Sequence, residues 1–419
     1  MTSRVRDEGA KVAENAHTPP IAGSASGGTV EILQLLRSGL VLTKTEVAAR
    51  TGLSRSTINQ RIDALLETRL VVPSGAESTK GRPAESFAFN RTGGHLLVAD
   101  IGATGLRVGL CDLTGMILNE VELTISVTEG PDIVLGVVGD EFARLLAEAG
   151  AAPDSVVGIG VSVPGPVDTA SGQVVHPPIM TGWDQYDIPG WFRRTYDCPV
   201  VVEKDANAMA FGEQQVSHPT IRHLLMVKVG TGVGSGLISD GRLHHGADGA
   251  AGDIGHNYVS KPAYVQEEPE CRCGNIGCLE AYAGGWAILR DLQALSVGAE
   301  SVDDAVRLLR SGNRDAVRLA RNASQLLGEA IAVTVNLFNP QVVVIGGQLA
   351  AADDYLFAGI KSAVYHRSLP LATRRIHIVG ATQGKQAGII GLALLVAQSV
   401  FANLPLPTLR SGTPQKMAV

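Results

Sequence analysis

At 419 residues the chain is too long for one ordinary domain and fits two or three units of about 100 to 200 residues each. A 45% apolar share is ample for buried cores, while 49 glycines beside only 4% aromatics point to an α/β protein with many tight turns, exclude a collagen-like or disordered chain and weigh against a base-stacking RNA binder. The net charge of −6 argues against nucleic acid as a partner for the whole surface.

That charge is unevenly spread. From Thr29 to His95 there are nine Lys/Arg against six Asp/Glu, a balance of +3, and the first 28 residues are neutral, so the chain beyond His95 carries −9. A mildly basic head on an acidic body is expected when the head alone touches phosphates. Five cysteines, an odd number, and no apolar N-terminal segment resembling a signal peptide point to a reducing cytoplasm. No apolar run reaches transmembrane length without a charge or glycine, so no membrane partner is expected.

In chain order, residues 1–28 mix Pro, Gly, Ala, Ser and charges without a helix or strand period and read as a disordered extension. A head over 29–92 follows. Ile32, Leu33, Leu35 and Leu36 mark a short helix; Thr43 and Glu46 form a capping box for a second that runs to Gly52; Ser54 caps a third with Ile58, Ile62, Leu65 and Leu66 on one face. Helix, glycine turn and helix is the arrangement that braces one helix in a DNA major groove. Ser54, Arg55, Ser56, Thr57, Gln60 and Arg61 supply short donors and guanidiniums suited to phosphates and base edges of a double-stranded operator. Lys80-Gly81-Arg82-Pro83 before the strand Ser86-Phe87-Ala88-Phe89 reads as a wing that carries Arg82 into a minor groove. A trihelical protein-interaction module is the alternative.

From Leu96 the texture becomes strands separated by glycine turns, then strands alternating with helices. LLVADIG, GLRVGLCD and MILNEVELTI form a meander, followed by a helix over Ile133 to Ala149 and the buried strand VVGIGVSV. LLMVKVG and GSGLISDG open a second unit, in which helices at Ala316 to Asn336 and Gly388 to Val400 flank VVVIGG. Two α/β units, each opened by a glycine-punctuated hairpin, imply a duplicated two-lobed fold with a cleft between lobes.

The first hairpin, Asp100-Ile101-Gly102-Ala103-Thr104-Gly105, lacks the spacing and following helix of a dinucleotide loop, but an acid and a hydroxyl at a strand-turn-strand suit a magnesium phosphate. The second, around Gly230, Thr231 and Gly232, offers unobstructed backbone amides to phosphate oxygens. Either could also be an ordinary tight turn. Between them, Asp205 ends an apolar strand at the mouth of a helix, where it is a candidate general base for a sugar hydroxyl or, alternatively, the N-cap of that helix. Cys271, Cys273 and Cys278 with His256 upstream are the four ligands a closed tetrahedral zinc site needs, the alternative being unbound thiols. Such an ion would pin Asp253 and Glu280 near one another to grip hydroxyls, unless both are solvated loop charges.

These segments, DIGATGLRVGLCDLTG, GIGVSVPGPVD, EKDANAMAFGE, VKVGTGVGSGLISDGRLHHGADGAAGDIGH, CRCGNIGCLEA and NPQVVVIGGQLA, resemble the ROK family of repressors, open reading frames and sugar kinases, in order and spacing from about Leu96 onward. The resemblance implies an α/β, actin-like (ribonuclease H-like) body over 93–405 behind the winged head. Its lobes divide near 205–222, its C-terminal helix returns to the first lobe, and a tail covers 406–419. The resemblance also implies a structural zinc on His256, Cys271, Cys273 and Cys278, and a sugar pocket of Asp205, Asp253, His256 and Glu280. Nucleotide phosphates would sit at Asp100, Gly102, Thr104, Gly230, Thr231, Gly232, Gly346 and Gly347, with ATP and magnesium bound only in an active kinase. A homodimer or homotetramer and control of carbohydrate genes by a sugar or sugar-phosphate effector follow from the same likeness, with an ATP-dependent sugar kinase as the alternative.

Three positions depart from the family kinases. Lys204-Asp205 stands where they show Asn-Asp, Asp253 stands for a Glu, and Ala103 for the second Gly of the first loop. An inward Lys204 ammonium would pair with Asp205 or Asp253 and blunt a base, or recognise an anionic effector.

Overall fold

The structure is a computed structural model that describes residues 27–75, 85–352 and 354–402. Arg82 and the wing tip, residues 1–26 of the extension and the 406–419 tail lie outside the described residues. Two compact units meet in the chain between Phe89 and Asn90.

The head begins with α1 (Gly27–Arg37), two residues before the boundary read from the sequence; Gly28 lies against Leu53, where a side chain would be crowded. After the two-residue β1 (Leu42–Thr43), Thr43 caps α2 (Lys44–Thr51): its hydroxyl accepts from Glu46 N at 3.3 Å and its own N–H donates to Glu46 Oε2 at 2.7 Å. Gly52 ends α2 at φ 69°, a left-handed conformation that costs glycine little. Ser54 then caps α3 (Arg55–Glu67) by accepting from Thr57 N at 3.2 Å. Ile32, Leu33, Leu36, Val47, Ile58, Ile62 and Leu65 are fully or almost fully buried and make the core. β2 (Val71–Ser74) and β3 (Ser86–Phe89) pair antiparallel, with β1 on the other side of β3.

In the body, the first lobe holds β4 (His95–Ile101), β5 (Gly105–Cys111), β6 (Ile117–Thr124), α4 (Pro131–Glu148), β7 (Val156–Val163), the small hairpin β8 (Val167–Asp168) and β9 (Gln173–Val174), α5 (Ile188–Arg193) and β10 (Val200–Lys204). α6 (Asp205–Ser217) leads to the second lobe: β11 (Leu224–Val229), β12 (Val233–Ser239), β13 (Arg242–Leu243), α7 (Leu279–Ala283), α8 (Gly285–Ala294), α9 (Val302–Arg310), α10 (Arg314–Phe338), β14 (Val342–Gly346), α11 (Asp354–Arg367), α12 (Pro370–Thr373) and β15 (His377–Gly380). α13 (Ala387–Ala402) closes the described chain.

The two five-stranded sheets run β10-β7-β4-β5-β6 and β13-β12-β11-β14-β15. Each is an antiparallel meander extended by two parallel strands, so the lobes are topological copies, as in the actin-like sugar kinase fold. α6 and α13 cross where the lobes meet. Asp205 to Gln214 are all buried, so α6 has no solvent face over that stretch, which fits its run of small residues. The stretch Gly384–Ala402 is long and apolar enough to cross a membrane, yet 56% of the apolar window is buried and α13 packs on α6, β4 and β7, the environment of a core helix.

Candidate functional site

Several of the body's candidate residues stand at or near strand ends. Asp205 is the first helical residue of α6, with Lys204 at the cap position, so it is not the N-cap weighed as its alternative. Its Oδ1 accepts from Ala206 N at 2.6 Å and its Oδ2 from Lys228 Nζ at 2.5 Å. Lys228, on β11, is the cation that the sequence reading missed. Lys204 does point inward, but its ammonium donates to the Ala251 carbonyl at 3.1 Å rather than forming the contact ion pair expected with Asp205 or Asp253. Burial pushes the Lys204 ammonium down, against the pull of Asp253, Asp205 and Glu203.

Asp100, at the end of β4, accepts a hydrogen bond from Ser162 on β7. Burial pushes its carboxyl up, while Lys228 and Ser162 pull the other way. Gly102 N donates to Gly105 O at 2.7 Å to close the first hairpin, leaving Thr104 exposed at its tip. The second hairpin closes through Gly230 N to Gly232 O at 3.0 Å. Gly347, just after β14, has φ 98° and would place a Cβ 2.5 Å from Val229 O, so it lies against the base of that hairpin; Gly346 ends β14 beside it.

Glu280 differs most from expectation. It is 9% exposed, accepts from Val233 N at 2.8 Å and from Trp286 Nε1 at 3.2 Å, and lies where a Cβ on Gly232 would be 2.3 Å from its Oε2. Both oxygens are committed to bracing the second hairpin against α8. Asp253 is exposed, whereas Glu280 is buried, so the two carboxylates differ in their access to solvent.

The loop that carries Asp253 is strapped to both lobes. Ser235 Oγ donates to Gly252 O at 2.5 Å, and Gly249 approaches β8 so closely that a Cβ would be 2.2 Å from Val167 O. Glu203, 4% exposed, accepts from Asn207 Nδ2 and Lys204 N, each at 2.8 Å, and meets His245 Nε2 at 2.7 Å. The hydrogen bond to Glu203 raises the His245 pKa above the ordinary imidazole range, against burial and Lys204. Because the folded value lies above the unfolded one, this contribution is complete below about pH 6 and lost as pH rises through the raised value. Melting curves across that window should show the wild-type advantage over His245→Gln shrinking on the alkaline side; a constant gap would refute the imidazolium assignment.

His256, Cys271, Cys273 and Cys278 bring one ligand atom each to within 4.8 Å of one another. Cys271 Sγ is 3.6 Å from His256 Nδ1 and Cys273 Sγ is 3.7 Å from Cys278 Sγ. Tetrahedral edges calculated from zinc–sulfur and zinc–nitrogen bond lengths are about 3.5 to 3.8 Å, so the donor set fits a closed metal centre. Burial and the neighbouring thiols push the Cys278 thiol up to about 12. Gly274 and Gly277 turn the chain around the set at φ 89° and 76°.

In the head, Ser54, Arg55, Ser56 and Gln60 are exposed at the start and outer face of α3, and Thr57 and Arg61 are half-buried. Ser54 Oγ lies 2.9 Å from Ser56 Oγ and 2.7 Å from Thr57 Oγ1, so these hydroxyls cluster at the helix N-terminus, where partial positive charge favours phosphate.

Comparison with known proteins agrees with this division. A winged helix-turn-helix DNA-binding profile matches residues 29–72 and the ROK family profile matches residues 97–399. The xylose repressor of Bacillus spizizenii is 26% identical over 359 residues, covering 85% of this chain and 91% of its own. The glucokinase of Halalkalibacterium halodurans is 28% identical over 314 residues, covering 71% of this chain and 94% of its own. A solved ROK family transcriptional regulator, a homologue of the E. coli MLC protein, superposes with TM-score 0.74 at 26% identity, covering 89% of this chain and 96% of that one. With its family profile spanning most of the body and its two hairpins, crossing helices and His/Cys3 set in place, the chain belongs to the ROK family and carries a winged helix-turn-helix head.

Proposed function

We propose that this chain is a DNA-binding transcriptional regulator, acting as a repressor, of carbohydrate uptake or metabolism genes, controlled by a sugar or sugar derivative in the cleft of the body. The observation that carries this reading is the α3 N-terminus, capped and lined with exposed donors, on the same chain as a complete two-lobed body. Regulator relatives span head and body, whereas the glucokinase covers a shorter share of this chain.

In this reading Ser54, Arg55, Ser56, Thr57, Gln60 and Arg61 meet the operator, with Arg82 of the wing. Lys204, Asp205, Asp253, His256 and Glu280 form the pocket that binds the sugar effector. The metal is zinc, with a structural role. The protein works in the cytoplasm as a homodimer or homotetramer whose paired heads read two half-sites, and the effector shifts the population between cleft states that space those heads differently. Kinase activity, with phosphates at Asp100, Gly102, Thr104, Gly230, Thr231, Gly232, Gly346 and Gly347, is the second reading, supported by the two hairpins. A coupled assay of sugar-dependent ATP hydrolysis separates the two, and robust turnover with a common sugar would overturn the regulator-only view.

The direct test is a gel-shift titration on duplex fragments from the gene's own promoter region, with xylose, glucose and N-acetylglucosamine as first effectors. Specific binding relieved by one of them is expected, and absence of duplex binding overturns the proposal. Arg55→Ala should weaken operator binding by about 1 to 3 kcal/mol, some 5- to 150-fold, and lower the salt slope by about one if the contact is to phosphate. Sugar affinity should not change; if it does, or if the operator is bound as by wild type, the assigned DNA face is wrong.

A further inference from the structure

Phosphoryl transfer from ATP needs a divalent cation held by carboxylate and a second carboxylate to take the hydroxyl proton. The cleft floor brings together two candidates, Asp100 from the first sheet and Asp205 at the head of α6, and Lys228 reaches them from the second sheet. We propose that Lys228 is a built-in counter-ion that takes the place of the divalent cation, so that the cleft serves sugar sensing without a metal–nucleotide complex. The proposal rests on the regulator reading above and adds the residue that keeps the cleft from turnover.

Three observations carry it. The Lys228 ammonium lies 2.5 Å from Asp205 Oδ2 while Asp205 Oδ1 accepts from Ala206 N, so both oxygens of the would-be base are engaged. Asp100 is fixed beside this pair by Ser162 and by the first turn of α13, where a Cβ on Gly388 would be 2.3 Å from its Oδ2. The cross-strand neighbours of Lys228, Gly234 on β12 and Gly346 on β14, carry no side chain, and Lys228 Cε passes Gly230 at a distance where a Cβ would be in ordinary contact, 3.6 Å away.

The electrostatics point the same way. Burial opposes the Lys228 charge, but Asp205 and Asp100 outweigh it and hold the ammonium above its ordinary range. A divalent ion entering between the acids would meet a cation already there. A neutral side chain at 228 would leave two carboxylates facing each other and create the demand for a metal.

Manganese is the probe, followed by electron paramagnetic resonance on the full-length, zinc-loaded protein. Wild type is expected to show no manganese whose binding depends on Asp100. Lys228→Met should bind manganese at least about tenfold more tightly than wild type, because ligand charge is no longer cancelled from within, and should lose that gain when Asp100→Asn is added. Manganese bound by wild type and released by Asp100→Asn overturns the proposal, as does a folded Lys228→Met with no gain. Should Lys228→Met fail to fold, the comparison of wild type with Asp100→Asn decides alone. Operator binding is measured on the same wild-type preparation; its absence would overturn the regulator reading and leave the manganese result standing.

Discussion

Cys278→Ser is expected to lose metal binding and to lower stability by at least about 3 kcal/mol, a fall in melting temperature of about 5 °C for a body of this size. The reason lies in what else could hold residues 257–278. Cys271 and Cys278 join a small buried cluster with Ala281, flanked by Cys273 and Trp286, and Val259 and Val265 pack, partly buried, against the second lobe's core. Isolated bridges join Tyr258 to Cys278 and Glu270 to Ile276, and no longer strand forms there. With so little apolar burial, a metal ion on these four ligands would supply much of what holds the segment in place. The damage should spread along the chain, because Cys278 is the residue before α7, and α7 carries Glu280, which braces the second hairpin. Metal content by mass spectrometry, melting temperature and the sugar-induced thermal shift should therefore fall together. A variant that melts like wild type and still answers to sugar would reduce the four residues to an ordinary thiol cluster.

What the sequence disclosed divides along a physical line. The head was legible because its signals are local: Thr43 with Glu46, Gly52 and Ser54 each act within a few residues of themselves, and each appears as read. The meanders were legible for the same reason, since glycine turns between alternating strands fix antiparallel neighbours. α9 carried an equally local signal, Ser301 with Asp304 three residues on, which forms a capping box that the reading passed over. Lys228 and Glu280 were not legible in role. A lysine inside the apolar run LLMVKVG does announce that it needs a partner, yet that partner, 23 residues away, is brought to it only by the packing of α6 between the sheets. Glu280 was read as a sugar ligand because carboxylates suit hydroxyls. Its burial and its bonds to Val233 and Trp286 depend on how α7 and α8 fold back on the hairpin, and no spacing rule encodes that. The small β8–β9 hairpin and its approach to Gly249 belong to the same class.

The same dependence on packing leads to the largest effect expected of a single methyl group. Gly391→Ala should destabilise the body by more than about 4 kcal/mol, whereas Gly136→Ala should stabilise it by about 0.5 to 1 kcal/mol. Both glycines sit inside helices, where alanine is intrinsically the better residue, so propensity alone gives them one sign. At Gly136, on α4, a Cβ would meet nothing within 4 Å and propensity wins. At Gly391, on α13, a Cβ would lie 1.8 Å from the Ala208 carbonyl oxygen and 2.9 Å from Gly212 N, both on the backbone of α6. No rotamer change relieves a clash with backbone, and α6 cannot retreat, because a Cβ on Gly236 of β12 would already be 2.5 Å from the Ala206 carbonyl on its other side. The helices would have to part, and with them the lobes, since α13 packs on the first sheet and α6 on the second. Denaturant melts of the two variants measure the contrast directly. Equal and small effects would mean that the crossing is loose and that α6 and α13 do not hold the two lobes together.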